Sequence, residues 1–151
     1  NKKDFRCEAD IAEWGFKFHM NDVNASIGMA NLKSIDGIIN RHKENGSYYN
    51  ERLKDVPGVS LLENKADRES AYWIYSMKVK NHDNFMKWMK ECGIMVSRVH
   101  ERNDKHTCVK DYRTILPNLD KVIKEMICIP CGWWVNDEQR EYIVECIQKG
   151  W

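Results

Sequence analysis

The chain has 151 residues, of which 42% are hydrophobic and 11% aromatic, a composition that supports a packed core and excludes a disordered chain. Its 24 basic and 23 acidic residues leave a formal charge of +1, so no basic surplus predicts a nucleic-acid partner. No apolar run approaches the roughly 18 residues of a membrane span, and no signal-peptide pattern is present. We expect a cytoplasmic protein with no nucleic-acid or membrane partner.

A half-buried extended segment is predicted near the N-terminus. Large apolar residues alternate with small or polar ones from Trp14 to Met20, which puts Lys17 and His19 together on the polar side. Asn21 or Asp22 then offers a side-chain oxygen to cap a following helix.

Two consecutive helices are predicted after this segment. Apolar residues recur at helical spacing as far as about Val56, and the pattern is interrupted near Ser34. The first helix is rich in small residues, which allow close packing. We interpret residues 1–56 as one unit of an extended segment and linking helices, and the family resemblance given below implies that this unit is a cofactor-phosphate and dimer segment.

Residues 57–151 are predicted to form a small α/β domain. The expected elements are a strand at 71–79, a helix at 84–92 capped by Asp83 and stopped by Gly93, a strand at 94–99, a long polar connection at 100–117, a helix at 119–126, a strand at 127–129 and a last helix at 138–148 begun by Asp137. This order predicts an α/β (α+β) fold, a three-stranded sheet layered with helices and preceded by a helical arm.

The six cysteines invite a disulfide, redox or zinc interpretation. Cys128 and Cys131 form a C-x-x-C pair, but no second pair stands at zinc-ribbon spacing. The pair follows a predicted buried strand, whereas a redox C-x-x-C usually opens a helix, where the thiol pKa is lowered. We expect reduced thiols that mostly pack in the interior, and no metal site; a redox or zinc protein stays an alternative.

Three polar or aromatic groups are candidates for binding. Lys17 and His19 suit a phosphate close to a helix N-terminus, or they form a solvated face. The segment from His100 to His106 concentrates imidazole, guanidinium and carboxylate groups that suit an anionic or hydroxyl-rich ligand, or it is a polar surface loop. One of the adjacent Trp133 and Trp134 is expected in the core, and the other is free to stack.

Several segments together resemble one enzyme family. Gly15-Phe-Lys-Phe-His-Met20, followed by the small-residue helix to Leu32, resembles the G-x-N-x-R-M segment of the DegT/DnrJ/EryC1/StrS sugar aminotransferases. The helix from Ile35 to Leu53 with Arg41 and Tyr49 resembles the helix that follows it in that family. The strand at 71–79 and the pairs Gly93-Ile94 and Val99-His100 continue the match in the same order, as do Leu116-Pro-Asn-Leu119 and Ile129-Pro130.

The resemblance implies a fold and an activity. It implies the small C-terminal domain of a fold-type-I, aspartate-aminotransferase-like enzyme that works as a homodimer with pyridoxal 5′-phosphate (PLP). Members of the family generally move an amino group from glutamate to a nucleotide-linked keto sugar, with the protein supplying position and electrostatics.

The resemblance also implies site residues. Lys17 and His19 occupy the asparagine and arginine positions of the segment that reaches toward the partner's cofactor phosphate. His100 matches the V-H motif near the substrate, and we expect Arg102 and His106 at the sugar or nucleotide. The Schiff-base lysine and its neighbours would lie in a large domain before Asn1, so we expect no catalytic residue in this chain and no activity from it alone. A sugar dehydratase of the same family and a non-catalytic binding or assembly module are the alternatives.

Overall fold

The computed structural model describes residues 10–151, so Cys7 lies outside the described residues. The elements within this range are α1 (Asp22–Leu32), α2 (Ile35–Leu53), β1 (Val59–Leu61), β2 (Tyr75–Val79), α3 (His82–Glu91), two short 3₁₀ helices (Asn103–Lys105 and Thr107–Tyr112), α4 (Pro117–Glu125), β3 (Met126–Ile129) and α5 (Asp137–Gln148). The expected class is confirmed, because a three-stranded sheet packs with helices and follows a helical arm.

The sheet is antiparallel with the order β1-β2-β3. In the register, Val59 pairs with Val79 on one side of β2, and Tyr75 pairs with Ile129 on the other. Alternate residues of β2, including Tyr75 and Val79, are buried, and the residues between them are half-buried. The aromatic and β-branched content that predicted this strand therefore also fills the core.

Two of the predicted strands are corrected by the structure. Residues 94–99 form no strand; a single isolated bridge joins Ser97 to Cys128. The third strand is β1, which the sequence analysis missed. The strand expected at 71–79 begins only at Tyr75, because Tyr72 has a φ of +46° that breaks the extended conformation.

The start of α3 also differs from the prediction. Asn81, with φ +53°, is the N-cap residue, and Asp83 lies in the first turn of the helix, so Asp83 is not the cap. The predicted stop is confirmed: Gly93 follows the helix with a φ of +74°, which an L-residue with a side chain adopts only at a cost.

One hydrophobic core joins α2 to the sheet and to the last helix. Tyr49 and Leu53 of α2 are fully buried with Phe85 of α3 and Ile147 of α5. Burying a side chain such as Leu53 contributes about 1.5–3 kcal/mol. The Tyr49 hydroxyl donates to the Pro130 carbonyl at 2.8 Å, so this buried polar group has a partner.

Arg41 attaches α2 to the beginning of α5. Its guanidinium donates to the carbonyl oxygen of Val135 at 2.9 Å and to the carboxylate of Asp137 at 2.6 Å. Asn136 caps α5 by accepting from the Gln139 amide, and the Gln139 side chain accepts from the Asn136 amide in return. The C-terminal helix is thereby fixed at its first turn.

The arm, which comprises the extended segment and α1 (residues 10–32), is exposed, whereas the rest of the fold is packed around the core. The predicted cap of α1 is confirmed, since the Asn21 side chain accepts from the Asn24 amide at 2.9 Å. No residue of α1 is buried, and Ile27 is 55% exposed. Trp14 and Phe16 are 87% and 91% exposed, so the expected half-burial of the extended segment is wrong within residues 10–151.

Candidate functional site

The extended segment places two cationic or titratable side chains on one side. The rings of Phe16 and Phe18 lie 5.8 Å apart, as expected for residues i and i+2 on the same side of an extended chain. Lys17 and His19 therefore point to the opposite side. The side-chain amide of Asn24 donates to the His19 carbonyl at 2.7 Å and holds the end of the segment against α1.

The Lys17 ammonium is the predicted phosphate-binding group of this segment. It is exposed, and within residues 10–151 it makes no hydrogen bond or ion pair. At the adjacent helix start, Asn21 already accepts from a first-turn amide, and Asp22 adds a negative charge. We therefore expect a phosphate here to be bound by the lysine rather than by the amides of α1.

Arg102 organises the polar loop from within. Its guanidinium donates to both carboxylate oxygens of Asp104, at 2.6 and 2.5 Å, and also to the carboxylate of Asp120 in α4. The hydrogen bonds to Asp104, and after them the bond to Asp120, raise the pKa of Arg102. The bonds from Arg102 in turn lower the pKa of Asp104. The predicted role of Arg102 in substrate binding stays a prediction, but two carboxylates already occupy its donors.

A second arginine fixes the turn that follows. Arg113 donates through Nε to the Asp104 carbonyl at 2.8 Å and through Nη2 to the Lys105 carbonyl at 2.6 Å. Arg113, which follows the second 3₁₀ helix, thus ties the end of that helix back to the first one. The segment predicted as a long loop is an ordered structure held by its own charged residues.

Asp10 joins the N-terminal segment to this loop. Its carboxylate accepts from the Thr107 amide at 2.8 Å and from the Thr107 hydroxyl at 2.7 Å. The Cys108 amide donates to the Ile11 carbonyl at 2.9 Å. The hydrogen bonds from Thr107 are the main reason that the pKa of Asp10 is lowered. Nothing in the sequence around Asp10 indicated this contact, because its partners lie 97 residues away.

The two histidines of the loop differ in burial and in their neighbours. The side chain of His106 is only 12% exposed, and its Nδ1 is 3.9 Å from a carboxylate oxygen of Asp10. His100 is exposed, and its ring is 6.0 Å from the ring of Trp73. The structure thus separates the two predicted histidines, one interior and one at the surface. Their predicted roles at the substrate stay predictions.

Both residues of the tryptophan pair lie at the surface. Trp133 is 56% exposed and Trp134 is 65% exposed, so the expectation that one of them packs in the core is wrong. The ring of Trp134 covers the backbone of Gly132 and meets the buried His42 edge-on at 6.3 Å. Trp134 therefore packs on the outside of the core and is not a core residue.

The C-x-x-C pair lies in the interior. Cys128 and Cys131 are both buried, and all the cysteines among residues 10–151 are free thiols. Burial raises the pKa of Cys131 to about 12, so its thiol is protonated at neutral pH.

Residues 10–151 contain no group of three or more His, Cys, Asp or Glu side chains able to hold a metal ion, and no helix among them is long and apolar enough to cross a membrane.

Comparisons with known proteins by sequence and by structure both give sugar aminotransferases. A sequence model of the DegT/DnrJ/EryC1/StrS aminotransferase family matches residues 1–148. The structures of AtS13 from Actinomadura melliaura and of the sugar aminotransferase CalS13 from Micromonospora echinospora superimpose with TM-scores of 0.84 and 0.85, at 44% and 42% identity. Each match covers 94% of this chain and 38% of the other.

A curated relative from Saccharopolyspora spinosa, dTDP-4-dehydro-2,3,6-trideoxy-D-glucose 4-aminotransferase, is 27% identical over 145 residues, which are 92% of this chain and 37% of the relative. The chain thus spans about two fifths of the length of the proteins that it matches. With nearly its whole length matched by the family's sequence model, the chain belongs to the DegT/DnrJ/EryC1/StrS aminotransferase family.

Proposed function

We propose that this chain is part of a PLP-dependent enzyme that transfers an amino group from glutamate to a nucleotide-linked keto sugar. The observation that carries the proposal is the Lys17 ammonium, which is exposed on the extended segment before α1 and has no partner within residues 10–151. Family membership and a relative named for amination of a dTDP-linked sugar support the same reaction class.

The cofactor contributes the chemistry that protein side chains lack, since PLP carries the amino group between donor and acceptor when it is bound. In this proposal the ammonium of Lys17 binds the cofactor phosphate as a point charge, and His19 lies beside it. The Schiff-base lysine belongs to a large domain that is not among these 151 residues. Residues 1–151 alone are therefore expected to be inactive.

The arm supports the proposal of a homodimer. The apolar side chains of Trp14, Phe16, Ile27 and Met29 are each more than half exposed. Several large apolar side chains left exposed in one segment are typical of an interface. We propose that the arm packs against the large domain and the partner subunit, which brings Lys17 to the cofactor of that subunit.

The polar loop is proposed to meet the nucleotide sugar. His100 faces solvent at the entry to the loop, whereas Arg102 and His106 face its interior. In this arrangement His100 contacts the substrate directly. Arg102 holds the loop in shape through Asp104 and Asp120, and His106 supports it from behind.

The test is an amination assay with the whole protein. Incubation with PLP and glutamate should release 2-oxoglutarate, and addition of a nucleotide-linked 4-keto sugar should give the amino sugar, detected by mass spectrometry. The isolated chain 1–151 serves as a control that should give no product. A dehydrated sugar in place of the amino sugar would indicate the dehydratase of the same family. Binding without turnover would indicate a non-catalytic module.

A further inference from the structure

The exposed pair formed by Trp73 and His100 is the starting point. Trp73 is 69% exposed, and its ring lies 6.0 Å from that of His100 at an angle of 51°. An exposed indole presents a large π-face, and the adjacent imidazole adds a polar edge. The sequence pattern predicts only that Trp73 belongs to a strand.

Trp73 owes its position to the strained residue before it. Tyr72 has a φ of +46°, a conformation that residues other than glycine adopt mainly where the surrounding structure enforces it. This turn interrupts the extended chain just ahead of β2, and it leaves Trp73 at the surface while the neighbouring Tyr72 points inward.

Three contacts enforce this conformation of Tyr72. The buried His42 donates from Nδ1 to the Tyr72 carbonyl at 2.8 Å, and the Asn50 amide donates to the Tyr72 hydroxyl at 2.7 Å. The ring packs against Gly46, which has no side chain to obstruct it. Strain that is maintained in this way commonly accompanies a functional position.

We propose that Trp73 stacks on the base of the nucleotide-linked substrate, with His100 alongside it. This inference rests on the proposed function and extends it, because a nucleotide-linked keto sugar carries a single aromatic group, its base. Trp73 is then the residue that holds the nucleotide end of the substrate. The sugar end of the substrate is then directed toward the cofactor.

The test uses the whole cofactor-loaded enzyme and two variants, Trp73→Leu and Trp73→Phe. Leucine keeps the side chain large and apolar but removes the π-face, and phenylalanine keeps an aromatic ring. We expect Trp73→Leu to raise the Kd of thymidine diphosphate or uridine diphosphate, measured by calorimetry, by about 5- to 100-fold, and Trp73→Phe to raise it by no more than about threefold. The KM of the nucleotide sugar should rise with the Kd while kcat changes little.

Tyr142→Leu is the matched control, since Tyr142 is an exposed aromatic residue of α5 outside the residues proposed to bind, and it should leave the Kd unchanged. A Kd and KM within about twofold of the wild type in Trp73→Leu would overturn the inference, as would a wild-type enzyme that binds neither nucleotide. If the wild type aminates the sugar but Trp73→Leu has no effect, only this inference fails. If the wild type neither aminates nor binds, the proposed function fails with it.

Discussion

The ring of Tyr72 lies so close to Gly46 that a β-carbon at position 46 would be 2.5 Å from Cδ2 of the ring. Gly46 is in the middle of α2, where glycine costs about 0.5–1 kcal/mol relative to alanine. The close contact explains the glycine, because the helix surface must be flat here for the strained Tyr72 turn to pack on it. One position in α2 thus controls how the chain enters β2.

Gly46→Ala should therefore lower the free energy of unfolding by about 1–3 kcal/mol, because the added methyl group overlaps the Tyr72 ring. The control is Gly37→Ala in the same helix, where a β-carbon would meet nothing within 4 Å. That variant should be neutral or stabilising by up to about 1 kcal/mol. Urea denaturation of the two variants measures the difference. Equal stabilities would show that the Tyr72 ring moves away freely.

The helices could be predicted because their signals are local. The oxygen of Asn21 caps α1 within three residues, and α5 begins beside its own cap, Asn136. The strands depend on distant partners. Residues 94–99 show strand-like alternation, with Ile94 and Val96 buried and Met95 exposed, but only Ser97 meets a partner. The alternation of apolar and polar residues shows which side of a segment is apolar, but it does not show whether another strand lies beside the segment.

The same limit applies to the candidate site. The charged residues of the loop were visible in the sequence, but the pairing of Arg102 with Asp120 spans 18 positions. The contact of Asp10 with Thr107 is more distant still. The alternation from Trp14 to Met20 correctly indicated two different sides, yet within residues 10–151 nothing buries the apolar one. A periodic pattern does not identify the surface that covers it.

The ion pair of Arg102 and Asp104 should make stability depend on acid pH. The arginine holds the pKa of Asp104 below its ordinary value of 3.8. As the pH falls, Asp104 is therefore protonated in the unfolded chain before it is protonated in the folded one. The stabilisation is present above the unfolded pKa and is lost as the pH falls through the folded pKa. The urea midpoint should fall between about pH 5 and pH 2.5, and Asp104→Asn should make this decline shallower. An identical decline in the variant would assign the acid sensitivity to other carboxylates.

Asp10 should protect the loop from hydrogen exchange. Its carboxylate accepts from the Thr107 amide, and the adjacent Cys108 amide bonds to Ile11. In Asp10→Ala, exchange at both amides should accelerate about 5- to 20-fold, as expected when hydrogen bonds worth about 1–2 kcal/mol are lost. Mass spectrometry of the peptide around Thr107 measures this exchange. Asp22→Ala is the control, since Asp22 lies on the exposed α1; the same acceleration there would indicate a general loosening of the arm.

Cys131 should be unreactive in the folded protein. Burial raises the pKa of its thiol to about 12, and the thiol donates to the His42 carbonyl at 3.6 Å. The thiolate is the reactive form, so alkylation at pH 8 should be at least about 100-fold slower than in the unfolded protein. Iodoacetamide labelling followed by peptide mass spectrometry measures the rate at this residue. Rapid labelling, or a disulfide to Cys128, would revive the redox interpretation of the C-x-x-C pair.

Lys17→Ala in the whole protein should weaken retention of the cofactor. The pyridoxamine form is the appropriate probe, because no covalent bond to the enzyme masks the contribution of the phosphate contact. Loss of one charged contact to a phosphate should raise its Kd by about 10- to 100-fold, and Lys17→Arg should restore most of the affinity.

Lys33→Ala is the matched control for Lys17→Ala, since Lys33 is an exposed lysine at the other end of α1. That variant should leave the Kd of the pyridoxamine form unchanged. If Lys17→Ala also has no effect, His19 or a group outside these residues binds the phosphate, and the exposed ammonium has another role. Equal losses from both variants would instead indicate a general electrostatic attraction, because a specific contact depends on position and a diffuse field does not.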